Sequence, residues 1–169
     1  MNTVQPTTHR DFAKFASSML PAKTYGTIFT VNLFELTPEV LEVIGIHAKR
    51  QPNNPEVLFG IHELRADAPR ESSVETVYDN RQPHFLLEMI PMGPSLDILA
   101  EATAWAEAFR DDLRRTEPSN IVASTYISLT SPKESVMESI YGVKYQKLKE
   151  IKGIYDSRNT FKSALPQFY

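Results

Sequence analysis

Residues 84–113 read HFLLEMIPMGPSLDILAEATAWAEAFRDDL and predict a strand followed by a long helix. The opening residues of this stretch are nearly all apolar and end at a proline, which is typical of a strand with at least one buried face. Ser95 can cap the helix, in which apolar residues recur at steps of three and four as far as Leu113. This spacing places them on one face, and we expect that face, with Trp105 as its anchor, to pack on a sheet.

The residues before this stretch alternate between strand and helix patterns. Runs of β-branched and aromatic residues predict strands, and a threonine–proline–glutamate sequence beginning at Thr37 predicts a helix start. The predicted elements are, in chain order, a helix over His9–Met19, a strand over Thr27–Leu36, a helix from Thr37 to about Arg50 and a strand over Val57–Leu64. The charged segment Arg65–Gln82 is expected to include an exposed loop.

The residues after the long helix complete the predicted fold. A fourth strand is predicted over Ile121–Leu129, followed by a turn around Pro132 and an interrupted helical stretch to about Tyr155. This order indicates an α+β fold: an antiparallel sheet of about four or more strands with helices packed on one face, a ferredoxin-like arrangement. We expect all 169 residues to form a single domain. Its other sheet face is then left free for a ligand, a partner or a second copy of the chain.

The composition argues against several classes of function. The chain has no cysteine and four scattered histidines, so disulfides, cysteine nucleophiles and a bound metal ion are not expected. Its net charge of −3 comes without a basic stripe, which argues against nucleic acid binding. The sequence contains no signal peptide and no apolar run of membrane-spanning length, so we expect a cytoplasmic protein without membrane contact. No Walker loop and no nucleophile–base–acid order are found.

Strand alternation gathers polar residues on the free face of the predicted sheet. These residues are Thr30, Asn32, His62, His84, Glu88, Ser124, Tyr126 and Ser128. His62 is the best acid–base candidate, because histidine ordinarily titrates near neutral pH, and Glu88 is a second candidate within an otherwise apolar strand. Arg81 is a candidate for holding an anionic substrate group. The alternative is a solvated sheet face with an exposed loop arginine, and both interpretations stay open.

The most specific pattern in the chain begins at Tyr126. It consists of YIS at 126–128, YG at 141–142, YQKLKEIK at 145–152 and YDSRNTF at 155–161. In order and spacing, this pattern resembles the C-terminal signature of berberine-bridge-type FAD-linked oxidases of the vanillyl-alcohol-oxidase superfamily. The resemblance covers residues 126–169, and the order of strands and helices upstream is similar to the substrate (cap) domain of that family.

The resemblance implies a substrate domain that lacks its FAD-binding domain. No glycine-rich loop precedes the pattern, and Ser128 and Ser157 stand where the family has a flavin-proximal asparagine and a proline. We therefore expect no bound FAD and no other cofactor. The family places the tyrosine that matches Tyr126 in the substrate pocket, as general base in some cyclising members, which makes Tyr126 a catalytic candidate. The alternative is a strand tyrosine whose hydroxyl is bonded at the sheet edge.

Two hypotheses of function follow, and a third is suggested by architecture alone. The first is a cofactor-free cyclase, isomerase or lyase of secondary metabolism, in which Tyr126, His62 or Glu88 moves a proton on a polyketide, terpenoid or polyphenol. Its expected substrate-binding residues are Thr30, Asn32, His84, Ser124, Ser128 and Arg81. The second is a non-catalytic subunit of a split FAD-linked oxidase or a small-molecule-binding module, with a homodimer as one way to cover the free face. The third is a cofactor-independent oxygenase of the dimeric α+β barrel type.

Overall fold

A computed structural model describes residues 6–19, 23–64, 82–129 and 137–162 of the chain. The helices and strands are, in chain order, α1 (His9–Met19), β1 (Tyr25–Gly26), β2 (Phe29–Leu33), α2 (Pro38–Lys49), β3 (Leu58–Leu64), β4 (His84–Ile90), β5 (Met92–Gly93), α3 (Leu96–Arg114), α4 (Met137–Tyr141) and α5 (Tyr145–Tyr155). Short 3-10 turns cover Pro118–Asn120, Ile127–Leu129 and Gly142–Lys144. The expected loop at 65–81 and the turn at Pro132 lie outside the described residues. No helix in the described part of the chain combines the length and the apolar character that crossing a membrane requires.

The main sheet is antiparallel and has the strand order β2–β4–β3, so that β4 lies in its centre. One row across this sheet joins Asn32, Leu86 and His62, which are direct partners in register. Strands β1 and β5 form a separate two-stranded sheet. The predicted α+β class is confirmed. The finer ferredoxin-like prediction is not, because the described residues form sheets of three and two strands and not one sheet of four.

The fourth strand, predicted over Ile121–Leu129, is reduced to a single bridge. Ile121 pairs with Leu33 at the outer edge of β2. The pairing stops there, because the Asn32 side chain donates a hydrogen bond of 2.8 Å to the backbone oxygen of Ser124. In a longer ladder that oxygen would accept from a backbone N–H of β2. The chain therefore leaves the sheet edge, and the predicted strand is wrong beyond its first residue.

Helices α2 and α3 cover one face of the main sheet. The core there contains Phe29, Val31 and Leu33 of β2, Leu87 and Met89 of β4, and Ala102, Trp105, Phe109 and Leu113 of α3. Trp105 donates a hydrogen bond of 3.0 Å from Nε1 to the backbone oxygen of His47, whose ring stacks on Phe109. The prediction that Trp105 anchors the core is confirmed. Ile98, in the first turn of α3, is instead exposed.

The two helix starts predicted at Thr37 and Ser95 carry the expected caps. The side-chain oxygen of Thr37 accepts a hydrogen bond from the backbone N–H of Val40, and that of Ser95 accepts one from Ile98. Such a bond satisfies one of the N–H groups that the first helical turn leaves without an internal partner. The local sequence therefore sets where α2 and α3 begin.

A polar pair joins α2 to α3 beside the core. Nε2 of His47 lies 2.7 Å from Oδ2 of Asp112. The hydrogen bond with His47 lowers the pKa of the Asp112 carboxyl below its usual range, and Arg115 lowers it further, against the opposing effect of burial. The charged form of Asp112 is thus favoured in the folded protein, where it ties the two helices together.

Asn120 ties the chain that follows α3 to the end of β2. Its Oδ1 accepts a hydrogen bond of 2.8 Å from the backbone N–H of Glu35, and its Nδ2 donates one of 2.9 Å to the backbone oxygen of Glu35. Its own backbone oxygen accepts from the N–H of Phe34 at 3.0 Å. Asn120 is buried, so these bonds are protected from water and hold the two segments side by side.

We predict that Asn120→Ala lowers the free energy of unfolding by about 1–3 kcal/mol, because two backbone groups of Glu35 lose their partners. Urea unfolding followed by the fluorescence of Trp105, the single tryptophan, measures this change. Ser119→Ala is the matched control, since Ser119 is exposed and its hydroxyl bonds to Glu117. It should change the free energy by less than about 0.5 kcal/mol. Equal effects of the two substitutions would contradict the assigned role of Asn120.

Candidate functional site

The sheet face opposite α2 and α3, here called the far face, carries five of the polar residues that strand alternation brings together. The strand register and the alternation with core residues place on it Thr30, Asn32, His62, His84 and Glu88. Because neighbouring strands lie only about 5 Å apart, these side chains occupy one compact area. The far face therefore gathers side chains that can exchange protons and form hydrogen bonds.

The side of the far face along β2 is covered, whereas the sequence predicted a free face. Thr30, Asn32 and His84 are only 2%, 2% and 5% exposed. The hydrogen bond from Asn32 to Ser124 holds the chain that follows α3 against this side of the sheet. On β3, in contrast, the far-face residues His62 and Leu64 are exposed. The far face thus has a covered half along β2 and an exposed half along β3.

A cleft of about 400 Å³, here called the tail cleft, separates the covering segment from α4. It is lined by Gln82, Val122, Ala123, Ser124, Ser139, Ile140 and Gly142. One wall is fixed by the bond between Asn32 and Ser124. The other is fixed by Ile140, which is buried in an apolar cluster with Met137 and Tyr141. The lining mixes short apolar side chains with hydroxyl and amide groups.

Four of the five buried polar atoms that lack a hydrogen-bond partner among the described residues lie at or next to this cleft: Oδ1 of Asn32, Nε2 of His84, Oγ of Ser124 and Oγ1 of Thr125. The fifth, Nδ1 of His47, lies beside the core, where the His47 ring stacks on Phe109. Asn32 uses its amide nitrogen to bind Ser124, so its oxygen remains an acceptor. Nδ1 of His84 lies 2.7 Å from the backbone oxygen of Gln82, which places the proton on Nδ1 and leaves Nε2 as an acceptor in the neutral ring. Buried acceptors of this kind favour a site whose occupant supplies donors.

His62 and Glu88 form a pair on the exposed half of the far face. Nε2 of His62 lies 2.9 Å from Oε1 of Glu88, and the two side chains are 48% and 15% exposed. The sequence predicts both residues as acid–base candidates, but their contact depends on the strand register. A half-exposed imidazole can take a proton from a bound molecule and return it, while a carboxylate behind it holds the ring in one orientation.

Tyr126 and Ser128 do not lie on a strand, so the alternation that predicted them beside Ser124 does not apply. Tyr126 is 40% exposed and opens a 3-10 turn in which its backbone oxygen accepts from Leu129 N–H at 2.9 Å. Ser128 is exposed as well. Of the three predicted residues in this segment, the structure places Ser124 in the lining of the tail cleft. Arg81 lies outside the described residues.

Most residues of the tail cleft were not predicted from the sequence. A partial signal was the tyrosine–glycine pair at 141–142, where Gly142 has a φ of +53° and lets the chain turn directly out of α4. That pair indicates a turn and contains no information about what lies opposite it. The missing information was the tertiary contact that sets Ser139 and Ile140 across from residues 122–124.

Asp156, in the YDSRNTF stretch, closes the end of α5. Its carboxylate pairs with Lys152 and accepts hydrogen bonds from the backbone N–H groups of Thr160 (2.7 Å) and Phe161 (3.2 Å). The bond with Lys152 is the main reason that the pKa of Asp156 is lowered to about 2; the two backbone donors contribute, and partial burial opposes them. This part of the pattern therefore has a structural role at the helix end.

No model of a known protein family matches the chain, and no curated protein matches it. The described residues contain no cluster of three or more histidine, cysteine, aspartate or glutamate side chains that could hold a metal ion. The resemblance to FAD-linked oxidases therefore stays a prediction, and the far face is interpreted from its own geometry.

We predict that the amide resonances of Thr160 and Phe161 titrate with a midpoint near pH 2, because they donate to Asp156. The pKa of Asp156 is lower in the folded chain than its ordinary value of 3.8, so its stabilising contribution is complete above that value and is lost as the pH falls toward 2. An NMR titration between pH 5 and pH 1.5, roughly the range over which such carboxylates protonate, measures the midpoint. Lys152→Met should move it toward 3.8. A midpoint near 3.8 in the unsubstituted chain would show that the carboxylate of Asp156 does not form these bonds at the end of α5.

Proposed function

We propose that the chain is a cofactor-free cyclase or isomerase that holds a small organic molecule in the tail cleft and moves a proton with the His62–Glu88 pair. The observation that carries the proposal is the set of buried acceptors beside a cleft of suitable size. Small-molecule sites commonly occupy roughly 300–1,000 Å³, and the tail cleft has about 400 Å³.

The lining of the cleft supports an organic ligand of mixed polarity. Val122, Ala123 and Ile140 offer apolar contact, while Ser124 and Ser139 offer hydroxyl groups. No lysine or arginine contributes to the lining formed by the described residues, so the cleft favours an uncharged ligand over a carboxylate or phosphate. A polyketide, terpenoid or polyphenol has this combination of an apolar skeleton and a few hydroxyl groups.

The position of the acid–base pair sets the size of a productive substrate. Asn32, which binds the cleft wall, and His62 are direct neighbours of Leu86 on opposite sides of β4. Two steps between strands correspond to about 10 Å, so a substrate anchored in the cleft must extend about that far to reach the pair. Holding such a chain in a folded shape can itself supply about 7–11 kcal/mol of catalysis, and proton transfer adds a further factor of about 10²–10⁴.

Binding in the tail cleft is tested by NMR titration of the ¹⁵N-labelled chain with a phenol, a β-diketone and a terpenoid alcohol. We expect at least one of these probes to shift the amides of Gln82, residues 122–124 and Gly142. Ala123→Trp fills the cleft and should weaken binding at least about tenfold, equivalent to about 1.4 kcal/mol. Ala48→Trp, on the exposed side of α2, is the control and should leave affinity unchanged. Shifts that survive Ala123→Trp would place the ligand elsewhere.

Catalysis is tested with β,γ-unsaturated ketones attached to the skeletons that bind, because their conversion to the conjugated isomer needs only a proton donor and acceptor. We expect His62→Gln and Glu88→Gln each to lower the rate by about 10²-fold or more. His9→Gln, on the exposed helix α1, is the control. Binding without turnover in the unsubstituted chain would leave the small-molecule-binding module as the function.

A second candidate function, a non-catalytic substrate-domain subunit for a separate FAD-binding protein, is favoured by apolar side chains exposed near the C-terminal end of the described residues. These are Val143, Ile154, Tyr155 and Phe161. These four side chains are each more than 70% exposed, and large exposed apolar side chains are typical of a surface that contacts another protein. The resemblance of residues 126–169 to FAD-linked oxidases supports the same candidate. Turnover by the isolated colourless chain would remove it.

A further inference from the structure

Gly60 lies in the middle of β3, directly opposite Glu88 on β4. A Cβ atom placed on Gly60 would lie 3.0 Å from Oε1 of Glu88 and 3.4 Å from its Cγ. The side chain of Glu88 therefore crosses β3 over the bare backbone of Gly60. By this route its carboxylate reaches His62, two residues further along the strand, at a distance of 2.9 Å.

The backbone of β3 does not itself require a glycine at this position. Among the described residues, Gly142 is the glycine with a positive φ, whereas Gly60 has an ordinary strand conformation. A glycine inside a strand is unfavourable because it lacks a side chain to pack and has a flexible backbone. The advantage of Gly60 is therefore the space that it leaves, and Glu88 occupies that space.

We propose that Gly60 is a positioning residue for the acid–base pair: the missing side chain lets Glu88 lie flat across β3 behind His62. The use of the pair in catalysis rests on the proposed function, but the positioning is a property of the sheet alone. A larger side chain at position 60 moves the carboxylate of Glu88 away from Nε2 of His62. The strand pairing tolerates this change, since the atoms that must move belong to the end of a flexible side chain.

The test is the rate at which diethyl pyrocarbonate modifies His62, followed by mass spectrometry. Glu88 covers Nε2, so Glu88→Ala, which removes the covering side chain, should raise this rate by roughly twofold or more. Gly60→Val should raise it by the same factor, Gly60→Ala by a smaller one, and the double substitution of Gly60→Val with Glu88→Ala should equal Glu88→Ala alone. Direct shielding of His62 by the new side chain would instead persist in the double variant.

Two controls separate positioning from a general effect on folding. Gly45→Ala, on α2 where the added Cβ would point into open space, should leave the modification rate of His62 unchanged. His9, on the exposed helix α1, reports in every sample whether the reagent acts equally. If Gly60→Val fails to fold, Gly60→Ala carries the test, because its single methyl group already approaches Oε1 of Glu88 to 3.0 Å.

The inference is overturned if His62 reacts equally fast in the unsubstituted chain and in the Gly60 variants, or if the effects of Gly60→Val and Glu88→Ala multiply. These outcomes are separate from those of the proposed function. Turnover that depends on His62, with a modification rate insensitive to Gly60, removes the positioning role and leaves the proposed function. If the modification rates follow the expected pattern but the chain shows no turnover, the positioning role of Gly60 stands and the proposed function is removed.

Discussion

The hydrogen bond from Asn32 to the backbone oxygen of Ser124 is the interaction on which the arrangement of the far face depends. It occupies the acceptor that would continue the ladder along β2, so the chain leaves the sheet edge and turns across the sheet. Residues 122–124 of this segment provide one wall of the tail cleft, and Thr30 and His84 are buried on the same face. With a fourth strand in its place, the same residues would extend the sheet and leave the far face open to solvent.

Local pattern was enough to predict the elements whose stability comes from one buried face. The period of α3 and the cap at Ser95 predicted the helix that the structure places at Leu96–Arg114, and the apolar run at 84–90 predicted β4. The fourth strand failed for the opposite reason. Its residues have strand propensity, but a side chain from β2 competes for the backbone group that pairing needs. Propensity contains no information about such a competitor.

The candidate site also combines features that the sequence predicts with features that only the folded chain shows. Alternation was sufficient to place Asn32, His62 and Glu88 on one face, because every second side chain of a strand points to the same side of the sheet. The contact between His62 and Glu88 depends on which residue of β3 stands opposite Glu88, and that register is a tertiary property. The tail cleft depends on a helix and a segment that meet only in the folded chain. Neither contact has a local signature, so neither could be derived from the sequence.

Both halves of the far face give up stability where their chemistry is concentrated. The covered half keeps acceptors such as Oδ1 of Asn32 and Nε2 of His84 buried with no partner in the described part of the chain, which is unfavourable in a folded protein. The exposed half keeps a glycine in the centre of an edge strand, which is unfavourable for a different reason. Sequences are locally consistent with their folds except where function requires otherwise. Two independent exceptions on one face are the physical grounds for interpreting that face as the working surface of the molecule; on the other side of the sheet, the buried Nδ1 of His47 is the corresponding exception.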